Sequence, residues 1–214
     1  MNVCYGGTEE MRLTAEELEL QKKRILESAM QVFIKDGYVS AKMEDIAKGA
    51  GVSRSPLYYH FTNRQDLFDA VFFECCDKFE KREKEIYCLN ISIFERIYKG
   101  LVAAIRNADN DLEGLRMAFV SRQEELPKSY ERYILLRKRL KEMKTEKVRE
   151  AIKAGELKSG CDPEQICDLI FLFYRGTVGE IFISQNSQWS EAYVEKIVAE
   201  FVALLRERYE ENKI

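Results

Sequence analysis

The segment GVSRSPLYYHF, residues 51–61, combines several hydrogen-bond donors with two apolar anchors. Arg54 stands near its start, and the chain's only histidine, His60, follows two adjacent tyrosines. A guanidinium can donate a forked pair of hydrogen bonds to O6 and N7 of guanine, and tyrosine, histidine or arginine can contact phosphates. In a helix, Leu57 and Phe61 lie one turn apart on an inward face and leave the donors on other faces. These residue types therefore indicate a short helix whose outer surface could contact nucleic acid.

A second short helix and a tight turn would hold this segment in place. Residues 42–50 carry apolar side chains at helical spacing, and Gly51 suits the positive φ angle that ends a helix. Ser53 can cap the following helix by accepting from the N–H of Ser55. Pro56 is third in that helix, where its missing N–H costs no intrahelical bond. Two short helices joined in this way predict a helix-turn-helix, whose second helix enters the DNA major groove.

Longer helices are predicted on both sides of this pair. Thr14 and Glu17 form a capping-box sequence that begins the preceding helix, and Gly37 is placed to end it. Asn63 can cap a fourth helix that reaches about Tyr87.

The rest of the chain shows helical periodicity and no alternating strand pattern. Further helices are predicted near residues 92–107, 112–125, 128–154, 163–185 and 190–211. The predicted fold class is therefore all-α, with about nine helices.

The composition excludes several classes of function. The net charge is −3, so any nucleic-acid contact must rest on local positive charge. One histidine leaves no Ser-His-Asp or Cys-His arrangement, and no GxxxxGK[ST] phosphate loop occurs, so neither an enzyme nor a cofactor is predicted. The six cysteines form no CxxC pair, so no metal site is predicted. Reduced thiols are expected, with oxidant sensing by the adjacent Cys75 and Cys76 as an alternative.

No membrane segment is predicted. The N-terminus lacks a basic start followed by an apolar run, so no signal peptide is expected. The most apolar stretch, residues 166–183, is interrupted by three charged side chains, which favours a buried helix over a membrane span. A cytoplasmic, nucleoid-associated protein is expected.

Residues 42–71, KMEDIAKGAGVSRSPLYYHFTNRQDLFDAV, resemble the DNA-binding segment of the TetR family (TetR/AcrR-like) of bacterial transcription regulators. The matching features are Ile46-Ala47, Ala50-Gly51-Val52-Ser53, Leu57-Tyr58 and His60-Phe61, followed by Asn63, a cation and Leu67. The resemblance covers about residues 20–72 directly, and the remainder matches only in length and helicity.

The first residues are small and polar without a helical period, so a disordered tail is predicted over residues 1–13. The resemblance implies a three-helix DNA-binding domain with the helix-turn-helix over residues 14–70 and a helical effector-binding and dimerisation domain over residues 71–214. It implies a homodimeric repressor that binds an inverted-repeat operator in double-stranded DNA and is released by a small-molecule effector of unknown identity. The opposite response, in which the effector strengthens DNA binding, is also open.

Carried over position by position, the resemblance places one set of residues at the DNA. Arg54, Ser55, Pro56 and Tyr59 would lie at or near the bases, and Tyr58, His60 and Arg64 would hold phosphates. Lys42, Glu44 and Ser53 complete the predicted DNA-contacting set, with solvent exposure as the alternative for Glu44.

Two positions depart from the family pattern. Lys42 stands where the family usually has a helix-capping threonine, which puts that cap and its phosphate contact in doubt. Arg64 replaces the usual lysine, which keeps the charge and changes its shape.

The C-terminal part offers aromatic side chains for an apolar effector pocket, although most of them must be core. The predicted pocket residues are Phe94, Tyr98, Phe119, Tyr133, Phe171 and Tyr174. The last two helices are predicted to form a dimeric four-helix bundle, as in the family, through Gly176, Gly179, Ile183, Val194, Ile197, Val198 and Phe201. The alternative is that these residues pack within one subunit's own core.

A helical scaffold that binds only proteins is the other rival function, but it would not need Arg54, Tyr59 and Arg64 on one surface.

Overall fold

The computed structural model describes residues 13–106, 115, 124–184 and 189–211, with the backbone alone for residues 182–184. These ranges form eight α-helices and contain no strand, which confirms the all-α prediction. The helices are α1 (Ala15–Ser40), α2 (Met43–Gly49), α3 (Arg54–His60), α4 (Arg64–Tyr87), α5 (Ile93–Arg106), α6 (Pro127–Lys153), α7 (Pro163–Ser184) and α8 (Glu191–Tyr209). The predicted tail and most of the helix predicted near residues 112–125 lie outside the described residues.

α1 begins at the predicted capping box and bends at the predicted glycine. The Thr14 hydroxyl accepts from the Glu17 N–H at 3.2 Å, and the Glu17 carboxylate accepts from the Thr14 N–H at 2.8 Å, which confirms the capping box. Gly37, with φ of 74°, interrupts the helical geometry, and a last turn follows it to Ser40. The predicted stop is therefore a kink close to the end of the helix.

The α2–α3 turn is closed by backbone hydrogen bonds. The Val52 N–H donates to the Ala47 carbonyl at 3.0 Å and the Gly51 N–H donates to the Lys48 carbonyl at 3.1 Å, the two bonds of a Schellman motif. Gly51 has φ of 66°, in the region where residues with a Cβ are disfavoured. The glycine therefore sets the angle at which α3 leaves α2.

α4 belongs to both parts of the chain. Its first half packs on α1, where Phe68 meets Phe33 edge to face at 4.9 Å between ring centroids. Its second half packs on α5 and α6, and the same core cluster continues to Leu136 and Leu140 of α6. The predicted division between residues 70 and 71 falls inside this helix, so the parts share an element without a linker.

A row of polar contacts, here called the α4–α6 seam, joins α4 to α6 from Asp69 to Glu83. Its four pairs are Asp69–Ser129, with 2.5 Å between oxygens, Asp77–Arg132, Glu80–Arg139, with hydrogen bonds of 2.7 and 3.1 Å, and Glu83–Lys144, at 2.5 Å. The last pair is the deepest, since the side chain of Glu83 is 0% and that of Lys144 10% exposed. The seam fixes the register of α4 against the helices that follow.

Candidate nucleic-acid interface

α3 is held by its apolar face and presents its polar face outward. Leu57 is fully buried and Phe61 is 4% exposed, as their spacing predicts. Tyr59 is 72% exposed and Tyr58 is 48% exposed, so both phenol groups lie on the surface. Ser55 is also exposed. The helix therefore offers a continuous polar surface beginning at its N-terminal turn.

Close packing of α1 against α2 sets the orientation of this surface. The Ser28 hydroxyl donates to the Ile46 carbonyl at 2.8 Å. A Cβ added to Gly49 would lie 2.3 Å from the Ser28 hydroxyl oxygen, which no side chain can tolerate without a shift. Glycine at the end of α2 is thus required by the approach of α1.

Arg54 and Glu44, both predicted to contact DNA, form an ion pair with each other. The guanidinium nitrogen lies 2.9 Å from the carboxylate oxygen, and the two side chains are 69% and 48% exposed. An ion pair this exposed is worth about 0–1 kcal/mol. The pair therefore holds Arg54 at the exposed start of α3. Arg54 can leave Glu44 for another acceptor at a small cost in free energy.

The N-terminal residues of the two short helices leave their side chains free of capping. Ser53 occupies the N-cap position of α3, but its hydroxyl makes no capping bond, so that part of the prediction is wrong. Pro56 explains part of this result, because it removes one of the two N–H groups a cap would use. Lys42 occupies the N-cap position of α2 and makes no side-chain cap bond either, as expected for a residue without an acceptor. Both exposed side chains remain available for other partners.

His60 is tied to α1. Its Nε2 lies 3.1 Å from the Gln21 side-chain oxygen, and Gln21 is itself buried. Burial lowers the pKa of His60, Lys22 lowers it further, and Glu19 opposes the shift. A neutral imidazole that donates from Nε2 keeps a lone pair on Nδ1 and has no second N–H for a phosphate. The structure gives His60 a positioning role, and the predicted phosphate contact stays a prediction.

Arg64 closes the C-terminal end of α1. Its Nη1 donates to the Val39 carbonyl at 2.6 Å and lies 3.3 Å from the Ala41 carbonyl. The guanidinium carbon also lies 4.6 Å from the centre of the Tyr38 ring. Sequence reasoning missed this role because the partner carbonyls are more than 20 residues away. The phosphate contact predicted for Arg64 stays a prediction.

A narrow cavity of about 30 Å³ lies between α4, α5, α6 and α7 and opens to solvent. Tyr133, Phe171 and Tyr174, three of the predicted effector-pocket residues, line it. Phe94 does not, because its ring is buried in the second core cluster beneath Arg206. Tyr98 also packs against that second cluster, and Phe119 lies outside the described residues.

The predicted dimer residues divide between an inner and an outer face. Val194 and Val198 are 3% and 0% exposed within a single subunit, so their assignment to the dimer interface is corrected. They fall on the α8 stripe that packs into the subunit's own core. Phe201 stacks on Phe173 of the same subunit at 4.0 Å between centroids.

The outer face of α7 is apolar and open. Leu169 and Leu172 are 37% and 68% exposed, and a Cβ added to Gly176 or Gly179 would meet nothing within 4 Å. These four positions share one helical stripe. On α8, Ile197 is half-buried, and the side chain of Ile183 on α7 is not described.

The described residues hold no group of three or more histidine, cysteine or acidic side chains arranged to bind a metal. Within the same ranges no helix is both long and apolar enough to span a bilayer.

Taken together, the turn geometry, the buried anchors and the exposed polar face of α3 define a helix-turn-helix DNA-binding protein. Residues 25–71 match the family of bacterial regulatory proteins described as the tetR family. Residues 25–71 therefore form a DNA-binding segment of the TetR type, and over these residues the chain is similar to the TetR family of transcriptional regulators.

Relatives and solved structures extend the similarity over most of the chain. The HTH-type transcriptional regulator SrpR of Pseudomonas putida is 25% identical over 201 residues, covering 92% of this chain and 90% of its own length. The structure of a TetR transcriptional regulator from Chloroflexus aurantiacus superposes with a TM-score of 0.76 at 16% identity, covering 92% of this chain and 99% of that one. FadR of Bacillus subtilis, solved in complex with stearoyl-CoA, gives a TM-score of 0.65 at 22% identity, covering 84% and 96% respectively. The curated relatives are regulators of transcription.

Proposed function

We propose that this chain is a homodimeric repressor that binds an inverted-repeat operator and is released by a small-molecule effector. The observation that carries the proposal is the α3 surface, where Tyr59 is 72% exposed on a helix whose opposite face is fully buried. An exposed aromatic with a polar tip, on a helix held this firmly, is suited to contact a ligand as large as DNA.

At the operator, α3 enters the major groove with its N-terminal turn first. Arg54 exchanges Glu44 for O6 and N7 of a guanine, a bidentate contact worth about 1–3 kcal/mol of discrimination. Ser53, Ser55, Pro56 and Tyr59 lie at or near the bases. Lys42, Tyr58 and Arg64 contact the phosphate backbone and fix the register of the helix. His60 can join them only when it is protonated, because its neutral ring donates its single N–H to Gln21.

An inverted-repeat operator has two half-sites, so it needs two copies of α3, one from each subunit of a dimer. The open apolar stripe of Leu169, Leu172, Gly176 and Gly179 on α7 supports an interface at that face, and the glycines let a partner backbone approach closely. The two half-sites are then separated by about 34–36 Å, one turn of DNA.

Residues 71–214 carry the response to the effector. The cavity beside α4 is the supporting observation, because α4 begins in the DNA-binding part and lines the cavity with Phe79. FadR of Bacillus subtilis, which shares the fold, was solved with stearoyl-CoA bound. An effector in the cavity releases DNA only if it binds more tightly to a conformation in which the spacing of the two α3 helices no longer matches that of the half-sites.

The direct test is selection of binding sites from random duplex DNA with the full-length protein at about physiological salt, where non-specific binding is weak. The expected product is an inverted repeat with half-sites one helical turn apart. Recovery of unrelated sequences with no symmetric motif would contradict the proposal.

The variant Tyr59→Ala then tests the assigned surface on the selected operator. The expected result is at least a tenfold loss of affinity with an unchanged sedimentation coefficient and melting temperature. The matched control is Tyr130→Ala, because Tyr130 is also an exposed tyrosine but lies on α6. Equal operator binding by the Tyr59 variant and the control would place the reading surface elsewhere.

A further inference from the structure

We infer that the cavity between α4 and α7 binds an amphipathic anion, an apolar body with one carboxylate-like head held between Arg137 and Arg175. The inference rests on the proposed effector site and specifies the chemistry of its ligand. The inference depends on the charges of the residues that line the cavity. Among the residues that the structure describes, thirteen line the cavity, and they include three cations and no aspartate or glutamate.

One of the three cations is already neutralised. Lys144 lies 2.5 Å from the carboxylate of Glu83, and both side chains are almost completely buried. Its ammonium also lies 5.0 Å from the centre of the Tyr87 ring and 5.3 Å from that of Phe171. The positive charge of Lys144 is therefore neutralised by Glu83. This end forms the floor of the cavity and does not attract an added anion.

The other two cations lie level with each other at the opposite end. Arg149 pairs with Glu164 and Lys141 pairs with Asp168, so α6 and α7 run antiparallel and Arg175 falls beside Arg137. Within the described ranges, no carboxylate forms an ion pair with either guanidinium. Arg137 lies 5.8 Å from the centre of the Tyr133 ring, which steadies it without neutralising it.

Two guanidinium groups on facing walls repel each other when no ligand is bound. A bound carboxylate removes this repulsion by pairing with both of them. A guanidinium donates two parallel hydrogen bonds to a carboxylate, which makes arginine better adapted to this task than lysine. The exposed position of Arg175 puts the head group at the mouth of the cavity, where the anion keeps part of its hydration.

Apolar side chains line the path between the arginines and the floor. They include Leu101, Ala104, Leu136, Leu140 and Ile170. Arg137 and Lys144 are seven residues apart on one helix, which corresponds to about 10 Å along its axis. The ligand body is therefore apolar and extended, and it ends at the balanced pair.

The test measures binding without DNA, so that it stays separate from the operator experiments. The probes are straight-chain carboxylates of eight to sixteen carbons, the matched primary alcohols and the matched alkyltrimethylammonium ions, titrated calorimetrically into the full-length protein. The variants are Arg137→Gln and Arg175→Gln. The matched control is Lys138→Gln, because Lys138 lies on the same helix and is 72% exposed, paired with Glu142 away from the cavity.

The expected result is that at least one carboxylate binds about tenfold more tightly than its alcohol and that the ammonium probes bind least. Each arginine variant should reduce the carboxylate affinity about five- to tenfold and leave the alcohol affinity unchanged, while the control behaves as the wild type. Failure of the whole carboxylate series to bind, equal binding of the alcohols, or unchanged affinity in both arginine variants would overturn the inference. None of these outcomes depends on operator binding, so a protein that fails here and still selects an inverted repeat retains the proposed DNA-binding function.

Discussion

The buried Glu83–Lys144 pair makes a quantitative prediction about stability. The variants Glu83→Met and Lys144→Met each leave one charge buried without its partner, whereas the double variant replaces the pair by two flexible apolar side chains of similar length. Breaking a buried ion pair at one side costs about 3–5 kcal/mol, while replacing both partners is often neutral or stabilising. Each single variant should therefore lose about 3 kcal/mol or more, and the double variant should be more stable than either.

The size of the effect follows from the surroundings of the pair. Glu83 is fully buried, and Lys144 is enclosed between the rings of Tyr87 and Phe171, so water cannot solvate either charge. Burial lowers the pKa of Lys144, but Glu83 and Tyr87 raise it more, and the net pKa lies above the ordinary value for lysine. A raised folded-state pKa means that the contribution of protonated Lys144 is complete below about pH 10 and is lost as the pH rises further.

The assay is denaturant unfolding at neutral pH and a fixed protein concentration, because the stability of a dimer depends on concentration. A loss of about 3 kcal/mol corresponds to a melting temperature lower by about 6–12 °C for a chain of this size. The control is the exposed pair Glu146–Arg149, 3.1 Å apart, where the same substitutions should cost less than about 1 kcal/mol. Single variants at Glu83 and Lys144 that melt like the control, or a double variant whose loss equals the sum of the two single losses, would refute this reasoning.

Three further predictions concern the packing, the histidine and the dimer. Gly49→Ala should lower the free energy of unfolding by about 1–3 kcal/mol through its clash with the Ser28 hydroxyl, and adding Ser28→Ala should recover part of that loss in denaturant unfolding. Because burial lowers the pKa of His60, the wild type should lose stability as the pH falls below about 6.5, and His60→Asn should flatten that part of the pH profile of melting temperature. Leu172→Glu should convert the proposed dimer into monomers in sedimentation velocity at micromolar concentration, whereas Leu20→Glu, 59% exposed on α1 against 68% for Leu172, should remain dimeric. A dimeric Leu172 variant would move the interface away from the α7 stripe.

Local sequence signals were sufficient for the helices and for the shape of the DNA-binding part. The caps at Thr14 and Asn63 and the turn at Gly51 involve partners within five residues, so their chemistry can be read along the chain. Among the described helices, the predicted ends agree with the structure to within two residues except at the end of α1, which runs three residues past Gly37. The inward face of α3 followed from the spacing of Leu57 and Phe61 alone.

Partners distant in sequence explain what could not be predicted. The α4–α6 seam joins residues about 55–61 apart, and a charged residue does not reveal whether it faces water or a counter-charge. Val194 and Val198 were misassigned because α8 has apolar residues on two faces, and periodicity does not say which face meets the subunit's own core. The same ambiguity hid the structural role of Arg64.

α4 is an unbroken rod of 24 residues, about 36 Å long, that begins beside α3 and passes the cavity at Phe79. It therefore works as a lever. A tilt of about 5° about one end would move the other by about 3 Å, close to the spacing of about 3.4 Å between successive base pairs. Opposite tilts in the two subunits would shift one half-site contact against the other by nearly two base pairs. If the proposed effector tilts α4 in this way, small side-chain movements at the cavity would produce a mismatch that DNA must bend or untwist to accommodate.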